Sequence, residues 1–126
     1  MKKHILIVDD EAEIRDLLSQ YLTSSGFRVT AAATPTEAFA VVERDAPDLV
    51  VSDLQLEESD GLSMLDRIKA QLPNVPLILL TGVLFEQDVV ERTLKGKINC
   101  YIEKTAPLSR VLGEIKRLTD APPRRE

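Results

Sequence analysis

Leu49-Val50-Val51-Ser52-Asp53 is the stretch whose reading decides the fold. Pro47 and Asp48 precede it, and so short an apolar run ending on an acid reads as a strand buried on both faces of a parallel sheet. Ile5-Leu6-Ile7-Val8 repeats the pattern and runs straight into Asp9 and Asp10. Two such strands deliver three carboxylates to one end of a sheet. Core packing does not ask for that concentration of like charge, so it points to a cation, a proton or a chemical use.

The flanking segments supply the rest of the sheet and its cover. Between the two runs, Ile14, Leu17, Leu18, Tyr21 and Leu22 recur at helical spacing, with Glu11 and Glu13 in the first turn, where the macrodipole favours anions. Ser24-Ser25-Gly26 stops that helix, with Gly26 as a left-handed C-cap, and 27–31 reads as a second strand. Thr34-Pro35-Thr36-Glu37 is a helix start: Thr34 caps, Pro35 suits the first helical position and Glu37 completes a capping box. Ala38, Val41 and Val42 form the buried face of this second helix. After Asp53, Asp60-Gly61 closes a loop, and Leu65, Ile68 and Leu72 mark a third helix ended by Pro73.

Residues 75–80 form a fourth apolar run leading into Thr81-Gly82. Val89, Val90 and Leu94 suggest a fourth helix with Gly96 as its C-cap, and 98–102 a weaker fifth strand meeting Glu103-Lys104. Pro107 opens a last helix with the stripe Leu108, Val111, Leu112, Ile115 and Leu118. The expected domain covers 1–120, with 121–126, which includes Pro122-Pro123, as a tail or the start of a linker.

Strands alternating with helices imply an α/β fold: a doubly wound parallel (βα)5 sheet with helices on both faces. In the flavodoxin-like strand order 2-1-3-4-5, the functional crevice lies at the carboxyl ends of the first and third strands. Those are the strands that end in Asp9-Asp10 and Asp53. Thr81 and Lys104 leave the fourth and fifth strands at the same end.

At 126 residues the chain suits one domain, burying roughly two-thirds of its unfolded surface. Apolar residues make up 44% and charged residues 29%, an ordinary globular profile. The formal net charge of −5 argues against direct binding of nucleic acid or an anionic membrane. Cys100 is the single cysteine, so no internal disulfide is available, and it is expected to pack as a small apolar residue. The basic start is followed by an apolar run too short for a signal peptide or a membrane span, so a cytoplasmic location is expected. His4, just ahead of the first strand, is expected to be exposed.

Clustered carboxylates repel one another unless a cation neutralises them, and oxygen ligands with open water positions suit Mg²⁺, which favours phosphate as a co-ligand. Lys104 adds a mobile positive charge and Thr81 a hydroxyl, both suited to holding phosphoryl oxygens. A carboxylate can be the nucleophile, as in aspartyl-phosphate chemistry. Phosphoryl transfer asks a protein mainly for alignment and charge stabilisation. The residues therefore read as a Mg²⁺-dependent site that forms an acyl phosphate on one aspartate.

With Ile7-Val8-Asp9-Asp10, Asp53-Leu54, Asp60-Gly61, Thr81-Gly82 and Tyr101 three residues before Lys104, essentially the whole chain resembles a response-regulator receiver domain of two-component signalling, similar to the chemotaxis regulators. By that resemblance Asp53 is the phosphoacceptor, taking its phosphoryl group from a sensor histidine kinase or a phosphotransfer protein. Asp9, Asp10 and Asp53 with the Gln55 carbonyl are the implied metal ligands. Lys104 corresponds to the phosphate-contacting lysine, and Thr81 with Tyr101 to the switch pair. The implied output, through the face of the fourth helix, fifth strand and fifth helix, is altered affinity for a downstream effector, an effector domain or a second copy of the chain. The domain would catalyse its own phosphorylation and dephosphorylation and turn over no separate substrate.

The chain departs from the family pattern where Thr105 follows Lys104 in place of proline, and where Glu57 stands in the loop after Asp53 at a position often held by proline. The 96–104 segment is also about one residue longer than usual. Each motif has a plainer reading: Asp9 and Asp10 as helix caps, Thr81 as a β-branched strand end, Lys104 as a solvated lysine, Tyr101 as an ordinary half-buried tyrosine. Their convergence outweighs those readings. Two rival functions remain: a phosphorylation-independent pseudo-receiver, and a dehalogenase-like aspartyl-phosphate hydrolase. The hydrolase is disfavoured because Asp9 and Asp10 are adjacent rather than Asp-x-Asp, and because the chain has no room for a cap.

Overall fold

The computed structural model describes residues 2–53, 61–81 and 98–119, with Gly61, Leu62 and Thr81 described by their backbone alone. The elements are β1 (His4–Val8), α1 (Ala12–Ser24), β2 (Arg28–Ala32), α2 (Pro35–Arg44), β3 (Leu49–Ser52), α3 (Gly61–Gln71), β4 (Leu77–Thr81), β5 (Cys100–Glu103) and α4 (Leu108–Thr119). The helix expected around 89–94 and the tail at 121–126 lie outside the described residues. The five strands form one parallel sheet in the order β2-β1-β3-β4-β5, as the sequence led one to expect.

The continuous apolar runs are explained by what lies on either side. Leu6, Val8, Val50, Leu77 and Leu79 face one way and pack with Ala38, Val41 and Val42 of α2 and Met64, Leu65 and Ile68 of α3. Their strand neighbours Ile5, Ile7, Leu49, Val51 and Ile78 face the other way, against Leu18 and Leu22 of α1 and Val111 and Ile115 of α4. Successive strand residues alternate faces, so a sheet covered on both sides needs every position apolar. Each fully buried Leu or Ile contributes about 1.5–3 kcal/mol.

Local signals set the helix ends. Thr34 Oγ1 accepts from the Glu37 N–H at 3.2 Å, and Glu37 Oε1 accepts in return from the Ala33 N–H at 2.7 Å, one residue further back than the usual box. Beyond α1, the Gly26 N–H donates to the Thr23 carbonyl, and Gly26 takes φ 102°, a left-handed conformation open to glycine. The bounds of β2 and β5 sit one or two residues later than expected: Phe27 is buried ahead of β2, and β5 starts at Cys100.

His4 is the clear correction. Expected to be exposed, it is fully buried. β1 lies inside the sheet, and the turn leading into β3 covers its first residue: Asp48 Oδ2 accepts the His4 amide at 2.8 Å, while the ring Nε2 meets Thr30 Oγ1 at 2.8 Å. Asp45, paired on the surface with Arg28, lies 3.8 Å from His4 Nδ1.

Candidate functional site

Parallel pairing carries two acids to one place. Val8 is in register with Ser52, so Asp9 and Asp53 are the next residues out of adjacent strands. Their backbones are tied in: the Asp9 N–H donates to the Ala32 carbonyl at 3.1 Å, and the Asp53 N–H to the Val8 carbonyl at 3.0 Å. Arg15 adds a hydrogen bond to the Asp9 carbonyl at 2.8 Å. Asp9 is 1% exposed and Asp53 4%, whereas Asp10 is half-buried at the rim. One carboxylate oxygen from each of the three lies within 4.8 Å of the others.

Lys104 enters from the residue after β5. Its Nζ donates to Asp53 Oδ2 at 2.8 Å and to Asp9 Oδ1 at 3.2 Å, and its third contact is the Glu11 carboxylate. It reaches the acids with Thr105 behind it, and the described peptide bonds are all trans. Burial by itself disfavours the ammonium, but the hydrogen bonds it donates to Asp53, Glu11 and Asp9 outweigh that and hold Lys104 above the usual lysine range. Lys104 is therefore charged at any physiological pH.

The carboxyl of Asp9 is pushed up from its ordinary value. Burial is the main cause and the nearby Asp53 charge a lesser one; the Glu11 N–H on Oδ1 (2.9 Å) and Lys104 pull the other way without winning. Asp9 Oδ2 lies 2.9 Å from Lys104 Nζ, yet this buried oxygen accepts no hydrogen bond of proper geometry. Three carboxylates, those of Asp9, Glu11 and Asp53, thus stand around one ammonium, and an oxygen of Asp10 lies within 4.8 Å of oxygens of Asp9 and Asp53. A buried oxygen without a hydrogen bond, in an all-oxygen donor set with excess negative charge, fits a small hard divalent cation.

Thr81 ends β4 opposite Glu103 of β5, two strands from Asp9 at the same end of the sheet. Tyr101 is half-buried in β5 beside Leu79 and packs against the cluster under α2 and α3. Gln55 lies outside the described residues. The residue missed by sequence reasoning is Glu11, expected only as a first-turn acid of α1. Its partner is 93 positions away, so no local spacing could have signalled the contact.

Comparison with known proteins agrees with this geometry. The family model described as the response regulator receiver domain matches residues 5–116. The transcriptional regulatory protein GlrR of Escherichia coli is 38% identical over 93 residues, which are 74% of this chain and 21% of that protein. The probable transcriptional regulatory protein TcrX of Mycobacterium tuberculosis is 30% identical over 117 residues, 90% of this chain and 48% of that one. The chain therefore spans half or less of either regulator. A response regulator receiver domain protein (CheY-like) from Methanospirillum hungatei superposes with a TM-score of 0.88 at 30% identity, covering 95% of both chains. Sheet order, the acids at the ends of β1 and β3, and the match across residues 5–116 make this chain a member of the response-regulator receiver family.

Proposed function

We propose that this receiver domain is a phosphorylation-dependent switch in which Asp53 accepts a phosphoryl group from a phosphohistidine on a sensor kinase or phosphotransfer protein. The observation that carries the reading is the placement of Lys104 Nζ 2.8 Å from Asp53 Oδ2 inside a cluster of acids. An Asp53 carboxylate oxygen attacks phosphorus, the bond to the donor's imidazole nitrogen breaks, and the electron pair leaves on that nitrogen. Lys104 holds one of the phosphoryl oxygens as charge moves onto the group. Asp9, Asp10 and Asp53 with the Gln55 carbonyl would hold Mg²⁺, which when bound would supply positive charge to offset the acids and the phosphoryl oxygens.

The phosphoryl group brings a charge of about −2 to the end of β3. Thr81 and Tyr101 would act as the switch pair, coupling the phosphoryl group to the face that the family resemblance assigns to the expected fourth helix together with β5 and α4. That face would then change its affinity for an effector, an attached effector domain or a second copy. In this reading the domain, 1–120 with 121–126 leading away from it, promotes its own phosphorylation and hydrolysis and turns over no other substrate, in the cytoplasm. Intact-mass spectrometry after incubation with Mg²⁺ and a small acyl phosphate tests it. One adduct that requires Mg²⁺ and is lost in Asp53→Asn is the expected result. A folded protein that takes up no phosphoryl group, from the small donor or from a kinase, would leave the pseudo-receiver reading standing.

A further inference from the structure

We propose that Glu11 is a positioning residue that restrains Lys104 in the unphosphorylated domain and so slows phosphoryl uptake by Asp53; this rests on the phosphoacceptor reading above. Glu11 stands at the N-cap position of α1, where Ser, Thr, Asp or Asn would normally cap, and its side chain makes no capping hydrogen bond. Its backbone is occupied locally: the amide donates to Asp9 Oδ1, and the carbonyl accepts from Ile14 and Arg15. The carboxylate is committed instead to Lys104 Nζ.

An ammonium has three N–H groups, and Asp9, Glu11 and Asp53 between them engage Lys104. A phosphoryl group on Asp53 brings three new acceptor oxygens to the place that Lys104 faces. To donate to them, Lys104 must give up a partner. Glu11 is the one to release, because its side chain is 58% exposed and water replaces what it loses, whereas those of Asp9 and Asp53 are 2% and 6% exposed. Until then the Glu11 carboxylate competes with the incoming group for the same proton.

The experiment compares wild type, Glu11→Gln and Glu11→Asp for the rate at which a Mg²⁺-dependent adduct appears from a small acyl phosphate. In that step the Asp53 oxygen bonds to phosphorus while the donor's P–O bond breaks and its electron pair leaves on the donor carboxylate. Both variants should gain roughly twofold to fivefold, the span expected from breaking a partly exposed ion pair. Glu11→Asp keeps the charge but is one methylene too short. If it behaves as wild type while Glu11→Gln is faster, general repulsion of the anionic donor is the cause and the proposal falls. In a Lys104→Met background, Glu11→Gln should add nothing; an unchanged gain there also overturns it.

A second readout needs no phosphoryl group. Denaturant unfolding in chelator, run as a Glu11–Lys104 double-mutant cycle, should show a favourable coupling, and zero coupling refutes the restraint. Should wild type form no adduct from the small donor or from a kinase, the proposal falls together with the phosphoacceptor reading. Should all three proteins form it at one rate, the restraint alone is wrong.

Discussion

Lys104 Nζ and Asp53 Oδ2 lie 2.8 Å apart across 51 positions of sequence, each brought there by its own strand end. The pair joins a positive charge to a carboxylate only 4% exposed, and most of what the domain is expected to do can be tested through it.

Lys104→Met should slow adduct formation on Asp53 by about 100-fold, the typical effect of losing one oriented donor to a developing anion. The same change leaves buried carboxylate oxygens without their donor and should destabilise the metal-free protein by about 1–3 kcal/mol. Mg²⁺ should restore much of that stability. Denaturant unfolding with and without the ion measures both effects.

Metal addition should raise the melting temperature of wild type, by the equivalent of about 2.7 kcal/mol at a hundred times the dissociation constant, and a chelator should reverse it. Asp53→Asn and Asp9→Asn should each blunt the response. A calorimetric titration showing unchanged Mg²⁺ affinity in both variants would remove these aspartates from the ligand set.

The raised carboxyl of Asp9 gives a signed pH dependence. Because its folded pKa lies above the unfolded one, Asp9 favours the metal-free fold while protonated, below the unfolded value. That benefit is lost as pH rises through the folded value. At neutral pH Asp9→Asn should therefore stabilise the metal-free protein, as seen by melting temperature. Metal binding runs the opposite way: it needs the ionised form and should weaken on acidification before an ordinary aspartate would titrate.

Away from the site, Gly26→Ala should cost about 1–2 kcal/mol with no change in metal binding. A methyl group there meets no atom within 4 Å, so the penalty is that of φ 102° alone. Chemical denaturation is the check.

Much of this molecule can be read along the chain because its rules are local. Alternating faces on β1 and β3 require apolar residues throughout, and the acids that follow Val8 and Ser52 are conspicuous against them. Thr34 and Glu37 reveal the start of α2 in the same way. What stayed hidden depends on residues distant in sequence. His4 looks like a polar residue on a basic N-terminus until Thr30 and Asp48 close over it. Glu11 looks like dipole stabilisation until Lys104 arrives from β5. No pattern within one helix or strand records either pairing.

The register of β1 against β3 has a final consequence. Val8 faces Ser52, and only that alignment sets Asp53 beside Asp9. A slip of one residue would carry Asp53 about 3.3 Å along the strand and turn its side chain to the opposite face. What forbids the slip is the fit of Ile5, Ile7, Leu49 and Val51 on one side and Leu6, Val8 and Val50 on the other. The hydrophobic interior is thus the gauge that spaces Asp9 and Asp53. A core substitution that loosens this fit would detune the chemistry before it unfolds the domain.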